Sequence, residues 1–248
     1  MYRWFGGLMV SLLIIFNLGQ NSHASVVMQG TRVIVNSGMK EKSVQFSNPS
    51  KHTYLIQVWG SHEPGIKDEV NVLPFTLTPP IFKITPQTGQ TVRLRVLPDS
   101  TLTDTEKVYY LNFSQIPAIE PQSTEEGNHL ILLMTSSVKI FYRPVALKEG
   151  PGDIASQLHY RLDTKNLVIE NPTPFHVSIN AIQVESHGEK YPVIMHPLMI
   201  SPKSTKSWPL PAAMSTLNSS ELDASLIHIW TINDYGADIP AIVPLTKK

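Results

Sequence analysis

Apolar and polar residues alternate along most of the chain, and this alternation predicts strands rather than helices. The clearest case is Thr91–Leu97, TVRLRVL. It puts Val92, Leu94 and Val96 on one face and Arg93 and Arg95 on the other. Thr53–Trp59 repeats the pattern with Tyr54, Ile56 and Val58. Further strands are predicted over Val26–Val35, Ser43–Ser47 and Lys107–Ser114, with turns at Asn36-Ser37-Gly38 and Asn48-Pro49-Ser50. Ser61–Pro86 contains Pro64, Pro74, Pro79, Pro80 and Pro86 and reads as looser, edge-like chain. Lys148-Glu149-Gly150-Pro151-Gly152 reads as a linker. A second strand series is then predicted over Leu167–Glu170, Phe175–Glu185, Tyr191–Ile200, Ser204–Pro209, Leu226–Asn233 and Ile239–Leu245. Asn218–Ala224 is a candidate for a short helical turn, and no stretch sustains a helical period.

Asn128–Pro144, NHLILLMTSSVKIFYRP, departs from simple alternation. Leu130, Ile131, Leu132, Leu133 and Met134 are consecutive apolar residues, and the run reads as the start of one long strand. Both of its faces are apolar at that end. Two readings stand: the strand lines its own core, or it is kept for lending to another chain. Lys139 lies an odd number of residues from Met134, so plain pleating puts the two on opposite faces. A bulge or twist near Ser136-Ser137 would bring them together.

About seven strands in roughly 120 residues is the pattern of an immunoglobulin-like sandwich. The predicted fold is all-β, with two such domains over residues 25–147 and 148–248. Residues 1–24 read as a secretory signal: Arg3 is followed by the apolar core Leu8–Leu18, and Ser22-His23-Ala24 offers small residues for cleavage. No later stretch is apolar over the roughly 18 residues of a membrane helix, so no membrane span is expected in the mature chain.

Lys plus Arg and Asp plus Glu both number 20, so no overall field favours nucleic acid. There is no cysteine, which excludes a disulfide framework and thiolate sites. The histidines show no metal-ligand spacing and read as surface or satisfied core residues. There is no phosphate loop and no nucleophile elbow. Tyr109, Tyr110, Phe141 and Tyr142 lie in strand patterns and read as core. The expectation is a protein that is not an enzyme and needs no cofactor or metal.

Four segments, in order, carry a resemblance: Thr31-Arg32-Val33, Val138–Pro144 (VKIFYRP), Glu170–Phe175 (ENPTPF) and Ile232–Gly236 (INDYG). Through them the chain resembles the periplasmic pilus-assembly chaperones, the PapD-like family. The resemblance covers nearly all of the chain after residue 24. It implies two immunoglobulin-like domains set at an angle, a periplasmic location, and pilus or fimbrial subunits and an outer-membrane usher as partners. Arg32 and Lys139 match the cations that anchor a subunit's C-terminal carboxylate. Leu130, Leu132 and Met134 match the donor side chains that complete the subunit's unfinished sandwich. Glu106, Arg143 and Asp234 match a charge trio buried between the domains. The moderate loop Gln115–Gly127 and the lack of cysteine lean toward the short-loop class of the family. The alternatives are a secreted two-domain module that binds carbohydrate or a host surface, and an extracellular hydrolase for which no acid–base pair is found.

Overall fold

The computed structural model describes residues 25–67, 72–97, 104–118, 133–162, 165–214 and 225–245. The predicted signal segment, Leu130, Leu132, most of the loop before the long strand and the candidate helical turn at Asn218–Ala224 lie outside these residues. Among the described residues, no helix is long and apolar enough to cross a membrane.

The first part of the chain builds two facing sheets. One contains β1 (Val27–Met28), β3 (Glu41–Ser47), β5 (Phe75–Thr78) and β7 (Gly89–Val96), in the order β1-β3-β7-β5. The other contains β2 (Arg32–Asn36), β4 (Tyr54–Ser61), β6 (Ile81–Ile84), β8 (Lys107–Pro117) and β9 (Met134–Arg143), in the order β2-β9-β8-β4-β6. The inward residues of both sheets meet in one core, with Val35, Ile56, Val92, Leu94, Leu111 and Ile140 fully buried. The alternation of Thr91–Leu97 has its predicted consequence: Val92 and Leu94 are buried, while Arg93 and Arg95 are exposed.

The remainder forms a second sandwich. A three-stranded sheet, β10-β11-β15, contains β10 (His159–Leu162), β11 (Asn166–Asn171) and β15 (Ser204–Pro209). It faces β12 (Val177–Ser186), β13 (Glu189–Ile194), β16 (Leu226–Ile232) and β17 (Asp238–Pro244), ordered β13-β12-β16-β17, with β14 (Leu198–Ile200) also paired to β12. Leu167, Ile169, Ile179, Ile182, Ile194, Ile227 and Ile229 form a separate core.

Several expectations are corrected. Val26–Val35 is two strands in different sheets, parted at Gly30, whose φ of 87° suits glycine. The proline-rich section holds β5 and β6. Tyr191–Ile200 is broken into β13 and β14, and β10 was not anticipated. The β8–β9 ladder runs from Gln115↔Met134 to Lys107↔Tyr142 without a shift, so no bulge occurs at Ser136-Ser137. Met134 therefore shares the face of Ile140 and Tyr142, which is the sandwich's core face, and Lys139 lies on the other. Tyr109 and Tyr142 are core residues, but Phe141 is buried outside that core cluster and Tyr110 is only half-buried.

Both sandwiches close one corner in the same way. Asn48 Oδ1 accepts from Ser50 N at 3.1 Å and Ser50 Oγ at 2.7 Å, and Asn48 Nδ2 donates to His52 O at 2.7 Å. Asn171 Oδ1 accepts from Thr173 N at 3.1 Å and Thr173 Oγ1 at 2.7 Å, and Asn171 Nδ2 donates to Phe175 O at 2.7 Å. Both asparagines are buried, and these bonds replace the water they give up. The facing turns carry Gln87 and Lys203 at φ of 57° and 52°, and each donates its side chain to the carbonyl of the corner proline, Pro49 or Pro172.

Candidate functional site: the inter-domain cleft and the free edge

The strand β9 is central to the first sandwich for only half its length. β8 pairs with it throughout. On the other side, β2 runs parallel to it only from Arg32↔Lys139 to Asn36↔Arg143. Among the described residues, no strand pairs with that side between Met134 and Val138. Leu133 and Met134 are 61% and 59% exposed at this end. The far end is different: Ile140, Phe141, Tyr142 and Arg143 are all buried.

The parallel register makes Arg32 and Lys139 direct neighbours. Arg32 Nη1 donates to Ile232 O of the second sandwich at 3.2 Å, and its guanidinium lies 5.4 Å from the Phe141 ring centroid. Its Nε is buried with no hydrogen-bond partner. Burial holds the Arg32 guanidinium below its ordinary value, against the raising charges of Asp234 and Glu106. Burial, and then the charge of Arg32, push the Lys139 ammonium below its ordinary value. Two cations sit side by side at a cost, which an incoming carboxylate would relieve.

The structure brings Glu106, Arg143 and Asp234 together. The β8–β9 ladder sets Glu106, just before β8, beside Arg143, the last residue of β9. Arg143 Nε donates to Glu106 Oε2 at 2.6 Å. Its Nη1 and Nη2 donate to Asp234 Oδ2 and Oδ1, each at 2.7 Å, the bidentate fork that suits guanidinium and carboxylate. The side chains of Arg143 and Glu106 are 4% and 0% exposed, that of Asp234 31%. Burial opposes the charge on Arg143, but its hydrogen bonds to Asp234 and the charge of Glu106 outweigh it and raise its pKa.

Asp234 is presented by the β16–β17 hairpin. There Asn233 Oδ1 accepts from Tyr235 N and Ala237 N, and Gly236 turns at φ 85°. A Cβ at Gly236 would collide with Thr31 Oγ1 of the first sandwich, so glycine lets the hairpin close on it. The predicted linker also packs here, since a Cβ at Gly150 would meet Asp234 Oδ2 at 3.1 Å.

His176 completes the cluster and was not singled out from the sequence. Its backbone N donates to Glu106 Oε1 at 2.9 Å, and its ring Nδ1 lies 3.1 Å from the same oxygen. A lone histidine in a strand pattern carries no spacing signal, but it follows the ENPTPF segment directly. Behind Arg32 lies a cavity of about 230 Å³, lined by both sandwiches, with Phe141 and Val177 among its walls.

Residues 25–148 match the family model described as pili and flagellar-assembly chaperone, PapD N-terminal domain. Residues 153–242 match that of the pili assembly chaperone PapD, C-terminal domain. The chain is 33% identical over 255 aligned residues to the chaperone protein FimB/FhaD of Bordetella pertussis, covering 97% of each protein. It is 31% identical to the probable fimbrial chaperone YadV of Escherichia coli, over 88% of this chain and 89% of that one. The crystal structure of a YadV chaperone aligns with a TM-score of 0.70 at 30% identity, covering 90% of this chain and 100% of that one. With both sandwiches matched in order along one chain, this protein belongs to the PapD family of pilus-assembly chaperones.

Proposed function

We propose that this protein is a periplasmic chaperone that binds a newly exported pilus subunit by strand donation, caps it, and delivers it to an outer-membrane usher. Residues 1–24 direct export, residues 25–147 carry the donor strand, and residues 148–248 form the other wall of the cleft. The observation that carries this reading is the half-paired edge of β9. Among the described residues no strand pairs with that edge from Met134 to Val138, and it offers a ladder to an extended guest segment, in line with β2.

Met134, with Leu130 and Leu132 before it, supplies the donor side chains. Met134 continues the face of Ile140 and Tyr142, so its side chain extends the chaperone's own core line toward the guest's open core. Burying three such side chains contributes roughly 5–9 kcal/mol gross, at about 1.5–3 each, before the costs of association. Arg32 and Lys139 take the guest's terminal carboxylate and fix its register. The Glu106–Arg143–Asp234 trio, with His176, holds the two cleft walls in place; such buried pairs fix geometry more than they add stability. No step calls for a nucleotide, since completion of the guest's fold by the next subunit drives release.

Co-expression with a candidate subunit tests the reading. The subunit should copurify and separate only in denaturant. Arg32→Ala and Lys139→Ala should each abolish its recovery while the chaperone stays folded. Normal subunit levels in both variants would sink the proposal.

A further inference from the structure

Asn112 lies on the outward face of its sheet and yet is fully buried. Its neighbours in β8, Leu111 and Phe113, point into the first core, so Asn112 points away from it. The chain after β4 folds across that outward face. Gly65 N donates to Asn112 Oδ1 at 2.8 Å, and Trp59, opposite Asn112 in the ladder, donates Nε1 to Ile66 O at 2.9 Å. Asn112 Nδ2 donates to Ser61 Oγ at 2.7 Å, and Ser61 Oγ, also buried, donates to Glu63 O. The Gly65 N–H settles which end of the amide is oxygen. One further bond reaches the group from β9: Ser137 Oγ donates to Asn112 Oδ1 at 2.7 Å.

That bond meets β9 where little else holds it. Among the described residues, β8 is the one strand that pairs with residues 134–138. Leu133 and Met134 are exposed, and Ser136, on the core face, brings no apolar side chain. Segments with few buried apolar contacts open most readily. An extended guest pairs only with an extended donor, so a donor that opens when free has to be ordered during binding, and its apparent affinity falls with the fraction that is extended. The loop over Asn112 does not need Ser137, because Gly65 and Ser61 already engage both ends of the amide. What the Ser137 bond adds is a hold on β9.

We propose that Asn112 is a positioning residue for strand donation. Through Ser137 it keeps the lending half of β9 extended against β8 before a guest arrives. Through Ser61 and Gly65 it is itself fixed to β4 and to the loop that follows. This inference rests on the reading of β9 as the donor strand.

Ser137→Ala tests it, since that change deletes the link to β9 and leaves the bonds from Asn112 to Ser61 and Gly65 in place. In the mature chaperone, hydrogen exchange at residues 134–138, read by mass spectrometry, should quicken about threefold to tenfold, the worth of one hydrogen bond, while the melting temperature stays native. Capture of a pilus subunit diluted from urea should slow by a similar factor. Ser137→Thr keeps the hydroxyl on a residue suited to strands and should restore both. Native exchange in Ser137→Ala, faster exchange with native capture, or a defect that Ser137→Thr does not restore would each overturn the proposal. Donation is read separately in the native protein, where the bound subunit should protect residues 134–138 from exchange. If it does so while Ser137→Ala behaves as native, only this inference falls. If it leaves that exchange unchanged, the donor reading and this inference fall together.

Discussion

The two halves of β9 share a backbone and a neighbour, β8, but the fold treats them differently. From Ile140 to Arg143 the strand is covered on both sides and sealed by the second sandwich. At Met134 it has one neighbouring strand among the described residues and an exposed apolar side chain. Apolarity does not explain the difference, because Leu133 and Met134 are as apolar as Ile140. The number of neighbouring elements explains it. Each added strand or domain removes another side of the strand from water, and β2 reaches only as far as Lys139. An apolar strand with a free edge is an aggregation hazard that folds normally avoid. Retaining one here separates the part of β9 that holds the protein together from the part available to a partner.

The sharpest way to break that division is at its sealed end. Arg143→Ala should leave Glu106 buried without its cation and cost about 3–5 kcal/mol in urea unfolding. Ile140→Ala, in the same half but within the core, should cost about 2–5 kcal/mol. If either variant unfolds at the native midpoint, the sealed half is not structural as described.

The middle of the strand should respond through binding. Arg32→Ala removes charge-assisted bonds worth about 1.5–3 kcal/mol, so a subunit's C-terminal peptide should bind roughly 10–100-fold more weakly. At the open end, Met134→Ser should leave unfolding within about 0.5 kcal/mol of the native protein while lowering subunit capture about tenfold. A large stability loss at Met134 would mean that its half is core after all.

The smallest effect concerns Lys139. Its pKa is depressed below the ordinary 10.5 by burial and by Arg32, so the unfolded chain holds that proton more tightly than the fold does. The free chaperone should therefore gain stability as pH rises from the depressed value toward 10.5. Lys139→Met should remove that alkaline gain and slightly raise the melting temperature at neutral pH. Guest binding should run the other way and weaken as Lys139 loses its proton.

Much of this arrangement was legible because strand alternation is local. Thr91–Leu97 and Thr53–Trp59 name their own buried faces, and Asn48-Pro49-Ser50 announces its turn; that Asn171-Pro172-Thr173 closes a matching corner emerges only from the hydrogen bonds. The charge trio was legible only through the family resemblance, because Glu106, Arg143 and Asp234 lie far apart in the chain. Gly30 parted one predicted strand into two; a glycine inside a strand pattern was the available signal. The parity of Met134 and Lys139 is visible in the sequence, but whether a bulge or twist reconciles the two is decided by the ladder. The ladder stays regular, and the two residues serve opposite faces. His176 carried no spacing signal beyond its place after ENPTPF, because a single polar residue in a strand gains a role only from what faces it.

The sequence by itself determined which residues of the regularly alternating strands turn inward, that the chain bends at Asn48-Pro49-Ser50, and that it builds sandwiches rather than helices. Those properties follow from a two-residue period and from side chains bonding to nearby backbone. Only the tertiary structure decided that β2 begins beside Lys139, that the Asn233–Gly236 hairpin carries Asp234 to Arg143, and that His176 meets Glu106. Each of these is a meeting of distant segments, and its energy comes from burial and charge pairing that exist only once both sandwiches are closed.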